Sequence, residues 1–226
     1  MASHLDLEEQ EQLEELKAFW KRYGNLITWV LTLALAAYAG WTGWNYWQQQ
    51  QAVKAAAMFD ELERVAKAGE LDKLNGLFSE LKQRYPGTAY AAQAALLTAK
   101  LQHEKAQADA ARATLGWVAE NASEPPYRDI ARLRLAGLQT EAKQYDEAAK
   151  TLDAVKSSEL AALVADRRGD LALAQGKPDQ AKAEFLKAYA GIEKTQNYRI
   201  LIEAKLASLG VAVPDADKAT AQGASQ

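Results

Sequence analysis

A long uncharged run near the N-terminus limits the ways in which this chain can fold. No charged residue lies between Arg22 and Lys54, and the segment LITWVLTLALAAYAGWTGWNYW is apolar apart from three threonines, one asparagine and small glycines. As a helix this segment would be about 33 Å long, close to the thickness of the hydrocarbon core of a bilayer. The run therefore predicts a single transmembrane helix over residues 26–47.

Aromatic residues flank this run on both sides. Their rings are amphipathic and favour the headgroup layer of a membrane. Six of them are therefore predicted to anchor the helix at the two interfaces: Trp20, Tyr23, Trp41, Trp44, Tyr46 and Trp47. Four glutamines follow, which places neutral polar groups where water would begin.

The distribution of basic residues predicts the orientation of the helix. More of them lie close before the run than after it: Lys17, Lys21 and Arg22 against Lys54 and Arg64. The positive-inside tendency then places residues 1–25 in the cytoplasm and the long C-terminal part outside. A basic region, an apolar run and the tripeptide AYA are also typical of a cleaved secretory signal. The long region before the run favours a retained anchor, and both interpretations export the same domain.

The region before the run is acidic and has an apolar spacing of its own. Residues 1–25 hold six acidic and three basic residues, which accounts for the whole formal net charge of −3. Leu5, Leu13, Leu16 and Trp20 recur at helical spacing, which predicts a short amphipathic helix at the membrane surface. A cytoplasmic docking helix for a basic partner is the alternative.

Small residues form a stripe within the run. Ala36, Gly40 and Gly43 recur at helical spacing, and such stripes let two membrane helices pack closely. The stripe is a candidate helix contact, although alanine-rich spans also produce stripes by chance.

Residues 48–212 have the pattern of a helical array. Apolar residues recur at three- and four-residue spacing, and Gly, Pro and Asn divide the sequence into segments of about 12 to 18 residues. KQYDEAAKTLDAV aligns with GKPDQAKAEFLKAY at an offset of 33 residues, and KAQADAARATLGWV lies 37 residues upstream. The predicted fold class is all-α, a single N-terminal transmembrane helix followed by an α-solenoid of antiparallel helix pairs. Residues 213–226 are polar and predict a disordered tail.

Small and larger apolar residues occupy matching places in these segments. The candidate repeat-packing positions are Ala111, Leu115, Ala148, Leu152, Gly169, Ala181, Phe185 and Ala188. Glycine and alanine let two helices approach closely, and the larger side chain fills the gap beside them. The last four of these positions resemble the glycine, alanine, aromatic and alanine places of the tetratricopeptide repeat (TPR). Ala165 and Ala172 depart from that pattern, so a divergent array is predicted.

The composition disfavours several kinds of chemistry. The chain has no cysteine, and His103 is the only histidine after the apolar run. Thiolate chemistry, a Ser/His/Asp set and a metal-binding cluster therefore lack suitable residues. Acidic and basic residues balance after residue 25, which disfavours nucleic-acid binding. We predict a non-enzymatic protein that uses no metal or cofactor.

Two groups of charged residues each allow two interpretations. Arg128 and Arg132, four residues apart in PPYRDIARLRLAGL, lie either on a solvated helix face or in a groove that binds a partner. Asp166 and Asp170 lie beside Arg167 and Arg168 in VADRRGDLAL. These charges either form ion pairs between neighbouring helices or include an arginine that binds a ligand.

The combination of these segments resembles the YfgM family, the ancillary subunit of the bacterial Sec translocon. The resemblance rests on the acidic N-terminus, on GWNYW at the end of the span, and on YPGTAYAAQAALLTAKL, LRLAGLQTEAKQYDEAAKTLDAV and VADRRGDLALAQGKPDQAKAEF. It implies a single-pass inner-membrane protein with a periplasmic TPR-like domain. It also implies partners, namely SecYEG, a membrane-anchored foldase (PpiD), exported polypeptides and, through the N-terminus, a cytoplasmic response regulator.

The residues alone lead to the same class of protein, a membrane-tethered interaction module without an active site. Two other functions remain open at this point. One is an envelope scaffold or assembly factor that uses the repeats without the translocon. The other is a subunit that regulates an enzyme.

Overall fold

The computed structural model describes residues 7–193 and 197–211, with side-chain surroundings from residue 11 onward. This part contains nine α-helices, one short 3₁₀ turn (Ser158–Leu160) and no strand, so the all-α prediction is confirmed for it. The helices are α1 Leu7–Lys67, α2 Leu71–Arg84, α3 Ala89–Glu104, α4 Ala108–Asn121, α5 Pro125–Glu141, α6 Tyr145–Asp153, α7 Ala161–Ala174, α8 Pro178–Gly191 and α9 Tyr198–Ser208. Helix α1, with 61 residues, is longer than the predicted helices, and α6, with nine, is shorter. The predicted disordered tail lies outside the described residues.

The chain divides into two compact units between Gln51 and Ala52. In the first unit, α1 carries the apolar run and exposes its large side chains, for example 71 % of Leu33. Within the described residues it is the one helix long and apolar enough to cross a membrane, and its most apolar window has a mean hydropathy of 1.4. Both an anchor and a secretory signal would have such a helix.

The second unit is an array of helix pairs that share one kind of turn. Within the described residues, the end of α1, α3, α5 and α7 are the first helices of the pairs, α2, α4, α6 and α8 are the second helices, and α9 follows. After each first helix and after α9 comes a residue with left-handed backbone, φ between 60° and 74°: Gly69, Ala106, Lys143, Gly176 and Gly210. The next residue donates its N–H to a carbonyl five residues earlier, as from Gln107 to Gln102 at 2.8 Å. This Schellman arrangement satisfies the carbonyls at a helix end, and its recurrence marks the repeat in the backbone.

The core of this unit lies between successive helices. Its buried side chains form local clusters from α1 to α5, from α5 to α7 and from α7 to α9. Each helix thus packs mainly on its neighbours, as in repeat proteins generally. One buried amide joins three helices, because Gln102 donates to Asn75 and accepts from the Thr114 hydroxyl, each at 2.9 Å.

Candidate functional site

The six predicted interface residues lie exposed on α1. Each exposes between 41 % and 65 % of its surface: Trp20, Tyr23, Trp41, Trp44, Tyr46 and Trp47. The rings of Trp44 and Trp47 have centroids 5.3 Å apart, because residues three apart share a helix face. Interfacial anchors need such exposure, and contact with lipid stays a prediction.

The threonine hydroxyls in this part of α1 are satisfied within the helix. Thr28, Thr32 and Thr42 each donate to the carbonyl of the residue four positions earlier, at 2.8 Å. An unpaired polar group in the hydrocarbon region would cost several kcal/mol. Because these hydroxyls are paired, they do not oppose insertion of the segment into a membrane.

The predicted stripe of small residues lies on the exposed surface of α1. Ala36, Gly40 and Gly43 are all exposed, and a Cβ on either glycine would meet no atom within 4 Å. This part of α1 therefore has room for a second helix, and its use as a helix contact stays a prediction.

The predicted repeat-packing residues are buried in the helix array: Ala111, Leu115, Ala148, Leu152, Gly169, Ala181, Phe185 and Ala188. A Cβ on Gly169 would lie 2.5 Å from Cδ1 and 2.8 Å from Cζ of Phe185. Phe185 is fully buried, so its ring could yield only by displacing the side chains around it. Helices α7 and α8 can therefore approach this closely because residue 169 has no side chain.

Arg128 and Arg132 contact the end of the preceding helix. Arg128 donates to the carbonyls of Ala122 and Ser123, and Arg132 to that of Ala119 at 3.1 Å. Cations at the C-terminal end of a helix pair with its free carbonyls and its dipole. Both guanidinium groups are thus engaged within the chain, and neither lines the cavities described below. Partner binding through these two residues stays a prediction.

Arg132 also neutralises Asp129, a buried carboxylate on the same helix. The two side chains are 2.7 Å apart, and Asp129 accepts from the N–H groups of Lys156 at 3.1 Å and Ser157 at 2.9 Å. Burial opposes the charge of Asp129, but these hydrogen bonds outweigh it and hold the pKa of the carboxyl below its ordinary value. Asp129 thereby ties α5 to the loop that precedes α7.

Two neighbouring cavities lie in the array and share part of their lining. The first, called the mixed cavity, has a volume of about 450 Å³ and is lined by Ala99, Lys100, His103, Leu115, Arg134, Gly137, Leu138, Glu141 and Arg167. The second, called the apolar cavity, has a volume of about 380 Å³ and is lined by Ile130, Leu133, Arg134, Leu160, Leu163, Arg167 and Tyr198. Arg134 and Arg167 line both cavities, which together we call the inner groove.

A buried carboxylate beside the apolar cavity holds α9 against α7. Asp166 is fully buried and accepts from Lys205 Nζ and from the Tyr198 hydroxyl, each at 2.7 Å. Lys205 also donates to Asp170 at 2.7 Å. Burial and the bond to Asp166 raise the pKa of the Tyr198 phenol, so Tyr198 remains a hydrogen-bond donor. Asp166 and Asp170 thus form ion pairs between helices, with Lys205 as their shared partner.

The two arginines that line both cavities differ in their electrostatic partners. Arg167 lies 2.9 Å from Asp170, and although burial opposes its charge, Tyr198, Asp170 and Asp166 hold the pKa of its guanidinium above the ordinary value. Arg134 has no carboxylate within 4 Å in the described part of the chain, and its bond to the Leu96 carbonyl is long, at 3.5 Å. Arg167 and Lys205 thus pair with Asp170 and Asp166, whereas Arg134 is left without a close carboxylate in this part of the chain.

The sequence selected Arg128 and Arg132, and not Arg134, as the candidate groove residues. Arg134 lies on a different face of α5, four residues after Ile130 and three before Gly137, and this spacing is the only local signal for its place in the groove. Lys205 had no local signal, because its partners Asp166 and Asp170 are 39 and 35 residues away in the chain.

In the part of the chain that the structure describes, no group of three or more His, Asp or Glu side chains could hold a metal ion. His103 is exposed near the end of α3 and lines the mixed cavity. The geometry suits binding, with apolar walls beside cationic side chains.

Comparison with known proteins places this architecture in a family. A family model described as a tetratricopeptide repeat-like domain matches residues 17–211. A protein of Neisseria gonorrhoeae named ancillary SecYEG translocon subunit is 31 % identical over 210 residues, covering 92 % of this chain and 100 % of its own length. Proteins of the same name in Haemophilus influenzae and Escherichia coli are 31 % and 30 % identical, covering 80 % and 78 % of this chain and 89 % and 85 % of their own.

The family model extends over both the apolar helix and the array of helix pairs. The described residues contain an exposed apolar helix and an array of helix pairs with a close α7 to α8 crossing at Gly169. The chain therefore belongs to the family of ancillary SecYEG translocon subunits, the YfgM family, and its helix pairs form a TPR-like domain.

Proposed function

We propose that this protein is a membrane-anchored interaction module that associates with the Sec translocon. The observation that carries the proposal is the similarity over 92 % of the chain to a protein named as an ancillary SecYEG subunit. The exposed apolar helix supplies a means of anchoring, and the inner groove supplies a binding surface. A tether raises the effective concentration of the groove near a membrane partner, so high intrinsic affinity is not needed.

In this proposal residues 1–25 are cytoplasmic, residues 26–47 cross the bacterial inner membrane and residues 48–212 form a periplasmic domain. The orientation rests on the basic residues Lys17, Lys21 and Arg22 just before the span. The paired threonine hydroxyls and the exposed aromatic residues of α1 support the placement of the span.

The proposed clients are exported polypeptides, which this protein would help to pass from SecYEG to periplasmic folding factors. A membrane-anchored foldase of the PpiD type is the proposed partner in that handover. The apolar cavity supports the proposal because an unfolded segment exposes apolar side chains. The acidic N-terminal residues, among them Glu14 and Glu15, are the proposed contact for a cytoplasmic response regulator.

Site-specific photocrosslinking in growing cells tests this function. A photoreactive amino acid at Leu33, in the span, is expected to crosslink to subunits of SecYEG. The same group at Leu160, in the apolar cavity, is expected to crosslink to exported polypeptides. Glu147, exposed on α6, is the control position, and its client crosslinks are expected to be weaker.

Two outcomes of the crosslinking would contradict these expectations. If both probes crosslinked only to cell-wall or outer-membrane components, the protein would be an envelope scaffold and the proposed function would be wrong. Crosslinks from Glu147 as strong as those from Leu160 would show that the inner groove is not the client surface.

A further inference from the structure

The inner groove has an electrostatic feature at its middle that the family resemblance does not assign. Arg134 on α5 and Arg167 on α7 line both the mixed cavity and the apolar cavity. A polypeptide that filled both cavities would therefore contact the two guanidinium groups through residues in the middle of the bound segment, not through its terminus.

The ion pairs around this point leave out one guanidinium group. Asp166 is already matched by Lys205 and Tyr198, and Asp170 by Lys205 and Arg167. Arg134 has no carboxylate partner among the described residues. Glu141 and Lys100 also line the mixed cavity, and Lys100 lies 3.7 Å from Glu104. Among the arginines and lysines that line the two cavities in the described part of the chain, Arg134 is therefore the one without a carboxylate within 4 Å.

The chemistry on one side of this junction is apolar. Apart from the two arginines and the Tyr198 hydroxyl, the walls of the apolar cavity are leucine and isoleucine side chains. The volume of about 380 Å³ is ample for one large side chain, since a cavity of about 150 Å³ already holds a benzene ring. An apolar residue next to an acidic one in an extended segment would match both features.

We propose that the inner groove binds an extended internal polypeptide segment that carries an Asp or Glu next to a large apolar residue. The carboxylate is received by Arg134 and Arg167, and the apolar side chain enters the apolar cavity. This inference rests on the proposed function, because it names the kind of segment that the groove of a client-binding protein selects. The guanidinium plane of Arg134 suits a carboxylate through paired hydrogen bonds.

The test uses the full-length protein in lipid nanodiscs and fluorescein-labelled glycine/serine peptides with a central Leu-Glu-Leu. Comparison peptides carry Leu-Gln-Leu, Leu-Lys-Leu and Ser-Glu-Ser, and binding is followed by fluorescence anisotropy. We expect Leu-Glu-Leu to bind about fivefold more tightly than Leu-Gln-Leu at low salt, as for a partly exposed ion pair. We expect this preference to shrink in high salt because the charges are screened.

Variants assign the preference to the arginine. Arg134→Gln is expected to bind the Glu and Gln peptides equally, and Arg134→Lys to restore part of the difference. Arg84→Gln is the matched control, since Arg84 is an exposed arginine on α2 outside both cavities. Leu160→Asn is expected to reduce the advantage of Leu-Glu-Leu over Ser-Glu-Ser, with circular dichroism to verify folding.

Two results would overturn the inference. One is equal binding of the Glu and Lys peptides by the unchanged protein, and the other is an unchanged Glu preference in Arg134→Gln. If either occurs while the Leu33 and Leu160 probes still crosslink to SecYEG and exported polypeptides, the inference fails and the proposed function stands. If the crosslinks are missing as well, the proposed function fails with it.

Discussion

At the scale of single residues, Gly169 shows how a missing side chain shapes the array. Its Cα faces the ring of Phe185, and an added Cβ would lie 2.5 Å from Cδ1. Because Phe185 is fully buried and its surroundings are close-packed, relief requires α7 and α8 to move apart. The tightness of one helix crossing therefore depends on one residue.

We predict that Gly169→Ala lowers the free energy of unfolding by about 1–3 kcal/mol, as overpacked core positions do. Urea denaturation followed by circular dichroism measures the change. The matched control is Gly116→Ala on α4, where a Cβ meets no atom within 4 Å. That variant is expected to be neutral or slightly stabilising, because alanine favours helix over glycine. An unchanged stability of Gly169→Ala would show that the crossing is looser than described.

Asp129 gives a prediction that depends on pH. Its folded-state pKa lies below the unfolded value of about 3.9, so its contribution to stability is present above that pH and is lost as pH falls through the folded pKa. Asp129→Asn is expected to lower the free energy of unfolding by about 2 kcal/mol at pH 7, the usual contribution of hydrogen bonds to a charged group.

The difference in the free energy of unfolding between Asp129→Asn and the unchanged protein is expected to shrink below about pH 4. There the carboxyl of the unchanged protein begins to take up its proton. Urea denaturation at pH 7, 5 and 3 measures both proteins. The matched control is Asp109→Asn, since Asp109 exposes 93 % of its side chain. A deficit independent of pH would mean that Asp129 acts through packing and not through its charge.

At the scale of elements, the turn after each first helix repeats one backbone geometry with different residues. Glycine occupies the left-handed position at Gly69, Gly176 and Gly210, whereas Ala106 and Lys143 occupy it with φ near 60°. A side chain with a Cβ is strained there, by about 1–2 kcal/mol. The left-handed turn is thus kept even at Ala106 and Lys143, whose side chains do not favour this backbone conformation.

We predict that Ala106→Gly raises the thermal midpoint, because the change relieves left-handed strain of about 1 kcal/mol. Ala113→Gly, seven residues later and exposed in the interior of α4, is the control and is expected to lower the midpoint, because glycine weakens a helix interior. Thermal unfolding by circular dichroism measures both. Equal signs for the two changes would contradict the left-handed assignment of Ala106.

The final helix gives a second prediction at this scale. Lys205→Met removes the cation that neutralises Asp166 and Asp170, and it leaves Asp166 buried with the Tyr198 hydroxyl as its close partner. Breaking a buried ion pair in this way costs about 3–5 kcal/mol. We expect faster hydrogen exchange in the amides of α9 than in the unchanged protein, while α3 and α4 remain protected.

The control for Lys205→Met is Lys187→Met on α8. Lys187 exposes 65 % of its side chain and pairs with Glu184 on its own helix, and such pairs contribute little. Exchange in α9 is expected to stay unchanged in this variant. If both variants loosened α9 equally, the contact with Asp166 would not be what holds it.

At the scale of the whole molecule, the absence of cysteine makes the membrane topology easy to measure. We predict that a cysteine in place of Glu120, exposed on α4, reacts with a membrane-impermeant maleimide in spheroplasts. A cysteine in place of Ser3 is expected to react only after lysis. The full-length chain is expected to stay in the membrane after alkaline extraction.

Two outcomes of that labelling experiment would contradict the proposed membrane topology. Labelling of position 3 in intact spheroplasts would reverse the proposed orientation. A shortened chain released from the membrane would mean that residues near Ala37–Ala39 are cleaved, and the secretory-signal interpretation would then replace the anchor.

The apolar helix, the all-α class and the recurrence of helix pairs could be predicted because each depends on side chains a few residues apart. Spacing along one helix also selected Ala181, Phe185 and Ala188, which are fully buried. The sequence predicted that the helix pairs could form a binding groove, but it did not predict which residues line that groove. Arg128 and Arg132 have the spacing of a binding face, yet they contact the carbonyl end of α4.

The sequence by itself determined which segment is apolar enough for a membrane and where small residues let helices meet, because both follow from side-chain chemistry within single helices. Only the tertiary structure decided which arginine of α5 lines the inner groove and which lysine neutralises Asp166. The reason is physical: the environment of a charge depends on the helices that pack around it, and Lys205 lies 39 residues from Asp166 in the chain.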